Sequence, residues 1–172
     1  MFLALLKREQ HRPGELDYVL TQSQKFDIGA IGITTSAIAL TEVFEARLEP
    51  EQMSQLRSMY SRSNFQFIDA NTEICKVASE IKSFYRLNYK NSNDVPLFPS
   101  TQDAIHVASA IAAQRGLKQT LKLLTFDSDN KAKQNSLAMT KMSGMVANKY
   151  QLTICRPPVQ TNEQLTLEGS VK

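Results

Sequence analysis

The sequence predicts an α/β protein, a mostly parallel sheet covered by helices on both faces. Short runs rich in Ile, Phe and Leu at residues 28–34, 65–68 and 121–126 are separated by longer stretches whose apolar residues recur at helical spacing. Parallel strands need such helical crossovers, and buried parallel strands read as continuous apolar runs. A chain of 172 residues that is 42% hydrophobic and 22% charged can bury one sizeable core, and this composition indicates neither a disordered nor a membrane-embedded chain.

The elements follow in order. Residues 2–24 read as two helical pieces interrupted by Pro13 and Gly14. Residues 28–34 suit a buried strand, after which Thr35 or Ser36 can cap a helix carrying Ala37, Leu40, Phe44 and Leu48 on one face. Pro50 ends that helix and opens another over 51–60; residues 65–68 form the next strand. Ile74, Val77, Ala78, Ile81, Phe84 and Tyr85 mark an amphipathic helix over 72–89, followed by a polar loop at 88–99. The clearest helix covers 100–117, with Ser100 as N-cap, Asp103 at the third helical position and Gly116 near its end. Strands at 121–126 and 152–155 complete the set; residues 1–156 are expected to form one domain and 157–172 a polar tail. Met139, Met142 and Met145 have helical spacing and mark core or a partner-binding face.

Several function classes lose support at once. No glycine-rich phosphate loop, nucleophile elbow or HExxH motif is present. Cys75 and Cys155 stand far apart without a CxxC partner, so they read as reduced structural thiols and offer no zinc site. The apolar run at 2–6 is followed at once by Lys7, Arg8 and Glu9, too short for a signal peptide or a spanning helix, and the expected location is the cytoplasm, with no membrane partner. A net charge of +3 is compatible with a polyanionic partner without requiring one.

Ligands of parallel α/β sheets bind beyond the carboxyl ends of the strands, which gives weight to acids placed there. Glu42 lies two helical turns after the first strand, Asp103 opens the helix after Ser100, and Asp127 and Asp129 follow the strand at 121–126. Clustered carboxylates repel one another unless a cation neutralises them, and oxygen donors suit Mg²⁺ or Mn²⁺. Plainer readings stand beside these. Asp103 fits a capping box, Glu45 and Glu49 a solvated helix face, and 127–130 ordinary turn chemistry, because Ala132 and Ala138 occupy the positions where a calcium loop needs Gly and Glu. His106 shares a helix face with Asp103 one turn away and reads as a partly buried neighbour of the site, while His11 belongs to a basic surface with Lys7, Arg8 and Arg12.

The stretches TSAIALTEVF at 35–44, QDAIHVASA at 102–110 and LLTFDSD at 123–129, in that order, resemble the PIN-domain family. The resemblance covers roughly residues 1–130 and implies a three-layer sandwich with a central parallel sheet flanked by helices. It further implies a Mg²⁺- or Mn²⁺-dependent endoribonuclease of the VapC toxin type, with Glu42, Asp103 and Asp127 as catalytic acids and metal ligands and Asp129 as a fourth ligand. RNA would be the substrate, with Lys131, Lys133 and His106 as candidate contacts to it; an antitoxin protein and a second copy of the chain are the partners it suggests. A PIN-like module that binds RNA or protein without completing the metal site is the alternative.

One departure from the family pattern bears on activity. The family begins with a strand ending in Asp, and residues 1–6 look like the helix start that follows it, without the strand; neither Asp17 nor Asp27 matches the missing acid. The expectation is therefore a sequence lacking that strand and that ligand, with weak metal affinity.

Overall fold

A computed structural model describes residues 14–127 and 135–159. The order is α1 (Glu15–Asp27), β1 (Ile33–Ser36), α2 (Ala39–Glu45), α3 (Pro50–Tyr60), β2 (Phe65–Ile68), α4 (Thr72–Asn88), α5 (Thr101–Leu117), β3 (Lys122–Leu124), a 3-10 turn (Met139–Lys141), α6 (Ser143–Tyr150) and β4 (Thr153–Cys155). The chain is mixed α/β, and its strands are parallel. Among the described residues they form two separate ladders: β1 with β2, in register from Ile33 opposite Phe65 to Ser36 opposite Ile68, and β3 with β4, from Lys122 opposite Thr153 to Leu124 opposite Cys155.

The strand expected over 28–34 is displaced to Ile33–Ser36. Helix α1 runs on to Asp27, Gly29 turns the chain with φ +75°, and the Asn64 side chain donates to the carbonyls of Phe26 (2.9 Å) and Ile31 (2.8 Å). Those bonds satisfy the backbone of a turn, so pairing with β2 starts only at Ile33. The strand at 121–126 shortens to Lys122–Leu124, and beyond it Thr125 still donates to Cys155 O at 3.0 Å. Helix α2 is capped by neither Thr35 nor Ser36 at its N-cap position, which is Ile38; the Ser36 hydroxyl receives the Ile38 amide at a long 3.4 Å. The first of the two expected helical pieces lies outside the described residues.

Side-chain alternation along β2 gives the β1–β2 ladder two covered faces. Phe65 and Phe67 meet Phe26 of α1 and Met59 and Tyr60 of α3, with edge-on ring pairs such as Phe26–Phe65 at 6.1 Å. Ile68, of opposite parity, meets the α4–α5 pair, and Ser36 receives a hydrogen bond from Ser109 of α5 at 3.0 Å with both side chains buried. Ala78, Ala104 and Ala108 keep α4 and α5 close. Along the same two helices Ile81, Tyr85, Val107 and Ile111 join Met142, Val146, Tyr150, Leu152 and Ile154 in the largest core cluster. The methionine reading thus resolves toward core, with Met142 fully buried and Met139 and Met145 packed against it.

Gln114 ties the end of α5 to both neighbours, donating to Tyr150 O at 2.8 Å and accepting from Leu121 N at 2.9 Å. Arg156, just past β4, binds Glu15 at the start of α1 through Nε (2.6 Å) and Nη2 (2.7 Å) and donates from Nη1 to Phe126 O at 2.9 Å. Glu15 is 1% exposed. A buried carboxylate needs such a fork, since a lone one would carry a large desolvation penalty.

These contacts generate two stability predictions. Arg156→Ala strands the Glu15 carboxylate and should cost about 3–5 kcal/mol, while the double variant Glu15→Leu/Arg156→Met should recover most of that loss in urea denaturation. The Tyr85 hydroxyl is buried without a hydrogen-bond partner among the described residues, and burial pushes its pKa up to about 12. Tyr85→Phe removes an unsatisfied group at constant packing, so the denaturation midpoint should hold or rise; a loss above about 1 kcal/mol would contradict the assignment.

Candidate acidic site

Glu42 sits in the first turn of α2, directly beyond the carboxyl end of β1. Val43 next to it is buried against Leu56, which sets the helix face, so the Glu42 side chain leans toward α5. There it meets His106: Nε2 lies 3.0 Å from Glu42 Oε1, with side-chain exposures of 14% and 40%. A carboxylate only accepts, so Nε2 must carry the proton, either in the neutral ring or in imidazolium. The hydrogen bond from His106 holds the Glu42 carboxyl below its ordinary value of 4.5, against the opposing effect of burial. The Ser36–Ser109 hydroxyl contact ties the same helix α5 to β1, the strand that precedes α2.

Asp103 stands one turn before His106 on α5. Its amide donates to Ser100 Oγ at 3.0 Å, and its Oδ2 accepts from the same hydroxyl at 2.5 Å. The carboxylate thereby serves the start of its own helix, where negative charge is favoured by the dipole. Asp127 follows β3; its amide donates to Thr125 Oγ1 at 3.0 Å, and its Oδ2 accepts from Met139 N at 2.7 Å. Its carboxylate therefore pins the return of the chain toward α6.

Of the residues singled out in the sequence, the structure brings Glu42 and His106 into contact and sets Asp103 one turn away, while Asp127 is anchored at the end of the other ladder. Asp129, Lys131 and Lys133 lie outside the described residues, as does His11. Glu45 is exposed, in keeping with a solvated face, whereas Glu49 lies beyond α2 as the N-cap residue of α3, its amide donating to Gln52 Oε1 at 3.0 Å. Among the described residues no group of three or more His, Cys, Asp or Glu side chains is arranged to hold a metal ion. Cys75 and Cys155 are free thiols, and no described helix is long and apolar enough to cross a membrane.

The residues missed at sequence level are Ser36 and Ser109, whose contact joins β1 to the helix carrying Asp103 and His106. Small polar residues inside an apolar helix face give a faint signal, readable as a hydrogen-bonded pair only once the two elements are seen to cross. Comparison with known proteins finds no family model, no curated protein and no solved structure that matches the chain.

The Glu42–His106 contact sets a pH signature. A carboxyl with a depressed folded-state pKa contributes stability above its unfolded pKa, near 4.5, and loses it as pH falls through the lower folded value. The stability difference between the native chain and His106→Ala should therefore be present at neutral pH and shrink below about pH 4.5, read by urea denaturation across that range. A difference constant with pH would assign the loss to packing alone.

Proposed function

We propose that the chain is a PIN-type metal-dependent endoribonuclease that hydrolyses RNA phosphodiester bonds, with Glu42, Asp103 and Asp127 as its acids and Asp129 as a further ligand. The observation that carries the reading is the contact between Glu42 and His106: it draws an acid placed beyond the end of β1 toward the helix turn that opens with Asp103. Asp127 lies three residues beyond the end of β3. Acids beyond the carboxyl ends of parallel strands are where α/β folds build their sites. On this reading the two ladders belong to one three-layer sandwich with a central parallel sheet.

The donors are all carboxylate oxygens, a set that suits Mg²⁺ or Mn²⁺ and disfavours zinc. In the described arrangement each of the three carboxylates is already held by a protein donor, from His106, Ser100 or Met139, and no three metal-binding side chains converge. The described residues as placed do not make a complete metal site. What the chain itself supplies is a Glu42 carboxyl kept ionised by His106 and an Asp103 oriented by Ser100. These same engagements favour a second reading, a PIN-like module that binds RNA or a protein without cleaving.

The test is cleavage of an end-labelled single-stranded RNA in Mn²⁺ or Mg²⁺ against the same mixture in EDTA. Weak cleavage that requires the metal is expected, reduced at least about tenfold by Asp103→Asn and by Glu42→Gln. Cleavage that persists in EDTA or survives Asp103→Asn would remove the assigned site, and retained RNA binding without cleavage would put the module reading ahead. An antitoxin protein and a second copy of the chain are the partners to be sought by co-purification and light scattering.

A further inference from the structure

Lys82 and Arg86 stand one turn apart on α4 and converge on a single aromatic ring. The Lys82 ammonium lies 5.6 Å and the Arg86 guanidinium 5.7 Å from the centroid of Phe98, which comes from the loop before α5. Lys82 also donates to Thr101 Oγ1 at 2.8 Å, in the first turn of α5. Some other exposed cations have a carboxylate at hand, as Lys76 has Glu73, Lys90 has Asp94 and Lys149 has Glu80. Among the described residues neither Lys82 nor Arg86 is paired with an acid.

Two like charges at this spacing repel one another, and here one of them also faces the positive end of α5. The ring offsets part of that cost, since its negative face attracts cations. What remains is an unneutralised double positive charge, with an aromatic side chain between its members. A single-stranded nucleic acid has the matching chemistry: phosphates for the cations and base faces for the guanidinium plane.

We propose that Lys82, Arg86 and Phe98 form a landing site for single-stranded RNA, beside Asp103 at the start of α5. Lys82 and Arg86 each take a backbone phosphate, and Phe98, half-buried against the main core, holds the two cations in place. The identification of the polyanion as RNA rests on the ribonuclease reading; the site itself rests on the geometry of the three side chains. A strand bound here runs along α4 and reaches the first turn of α5, two residues before Asp103.

The experiment is fluorescence anisotropy of a labelled single-stranded RNA oligonucleotide with the full chain in EDTA, so that binding is read apart from cleavage, over a range of KCl. Removing two phosphate contacts from a single-strand site lowers the salt slope by about 1.4 and the affinity at 0.1 M salt by about 25-fold. Lys82→Gln/Arg86→Gln should show both changes, whereas Phe98→Leu should weaken binding with less effect on the slope. Circular dichroism of each variant confirms that it is folded. RNA bound by the double variant with unchanged affinity and slope would overturn the proposal, and cleavage by the native chain would then leave the ribonuclease reading standing. Conversely, binding that depends on Lys82 and Arg86 in a chain that never cleaves would uphold the site and sink that reading. Failure of the native chain to bind RNA, or tighter binding of an acidic peptide that RNA cannot displace, would also overturn the proposal.

Discussion

Helix α5 is the constraint on which the rest of the structure depends. Its buried residues, Ala104, Val107, Ala108, Ser109, Ile111 and Ala113, are spread round the helix, so it has solvent on little of its surface. Val107 and Ile111 belong to the large cluster that holds α6 and β4, while Ala104 and Ala108 belong to the cluster shared with α4 and β2. One helix therefore contributes to the packing around both ladders. Its first turn carries Ser100 and Asp103, and its last turn carries the Gln114 bridge to β3 and α6. A shift of α5 would disturb the core and the acidic residues together, because close-packed interiors transmit displacement.

The second organising feature is electrostatic. Each described acid of the candidate site is engaged by a neighbour, since Glu42 binds His106, Asp103 its own N-cap, and Asp127 the amide of Met139. Such engagements orient carboxylates and remove the freedom of their side chains, which is useful in a preorganised site and also sufficient in a purely structural one. The Glu15–Arg156 fork adds a different constraint, joining the start of α1 to the end of β4 and reaching Phe126 immediately before Asp127. The position of Asp127 thus depends on the start of α1 and on the residue that follows β4.

Much of this was legible in the sequence. Ser100 as N-cap, the helices over 72–89 and 100–117, the strand at 65–68 and the parallel α/β character all follow from local chemistry: capping residues, 3.6-residue periodicity and short apolar runs between helices. The errors lie where local chemistry is ambiguous. Residues 28–34 have strand composition throughout, but Gly29 and Gly32 also permit a turn, and the Asn64 side chain, distant in sequence, decides for the turn by binding two carbonyls of that segment. The fold-level reading of one sheet and the observed pair of ladders likewise differ in a property that no window of sequence contains, namely which strand edges meet.

By itself the sequence determined the type and order of the elements up to β3, the presence of acids beyond the ends of parallel strands, and the absence of a cysteine framework, because each depends on residues within a few positions of one another; the 3-10 turn and helix α6 were not read from it. Only the tertiary structure decided that Glu42 takes His106 as its partner across 64 residues, that Glu15 and Arg156 pair across 141, and that Lys82 and Arg86 share the ring of Phe98. The physical reason is common to all three: hydrogen bonds and charge contacts act over a few ångströms, and the chain positions that come within that range are chosen by how the helices pack.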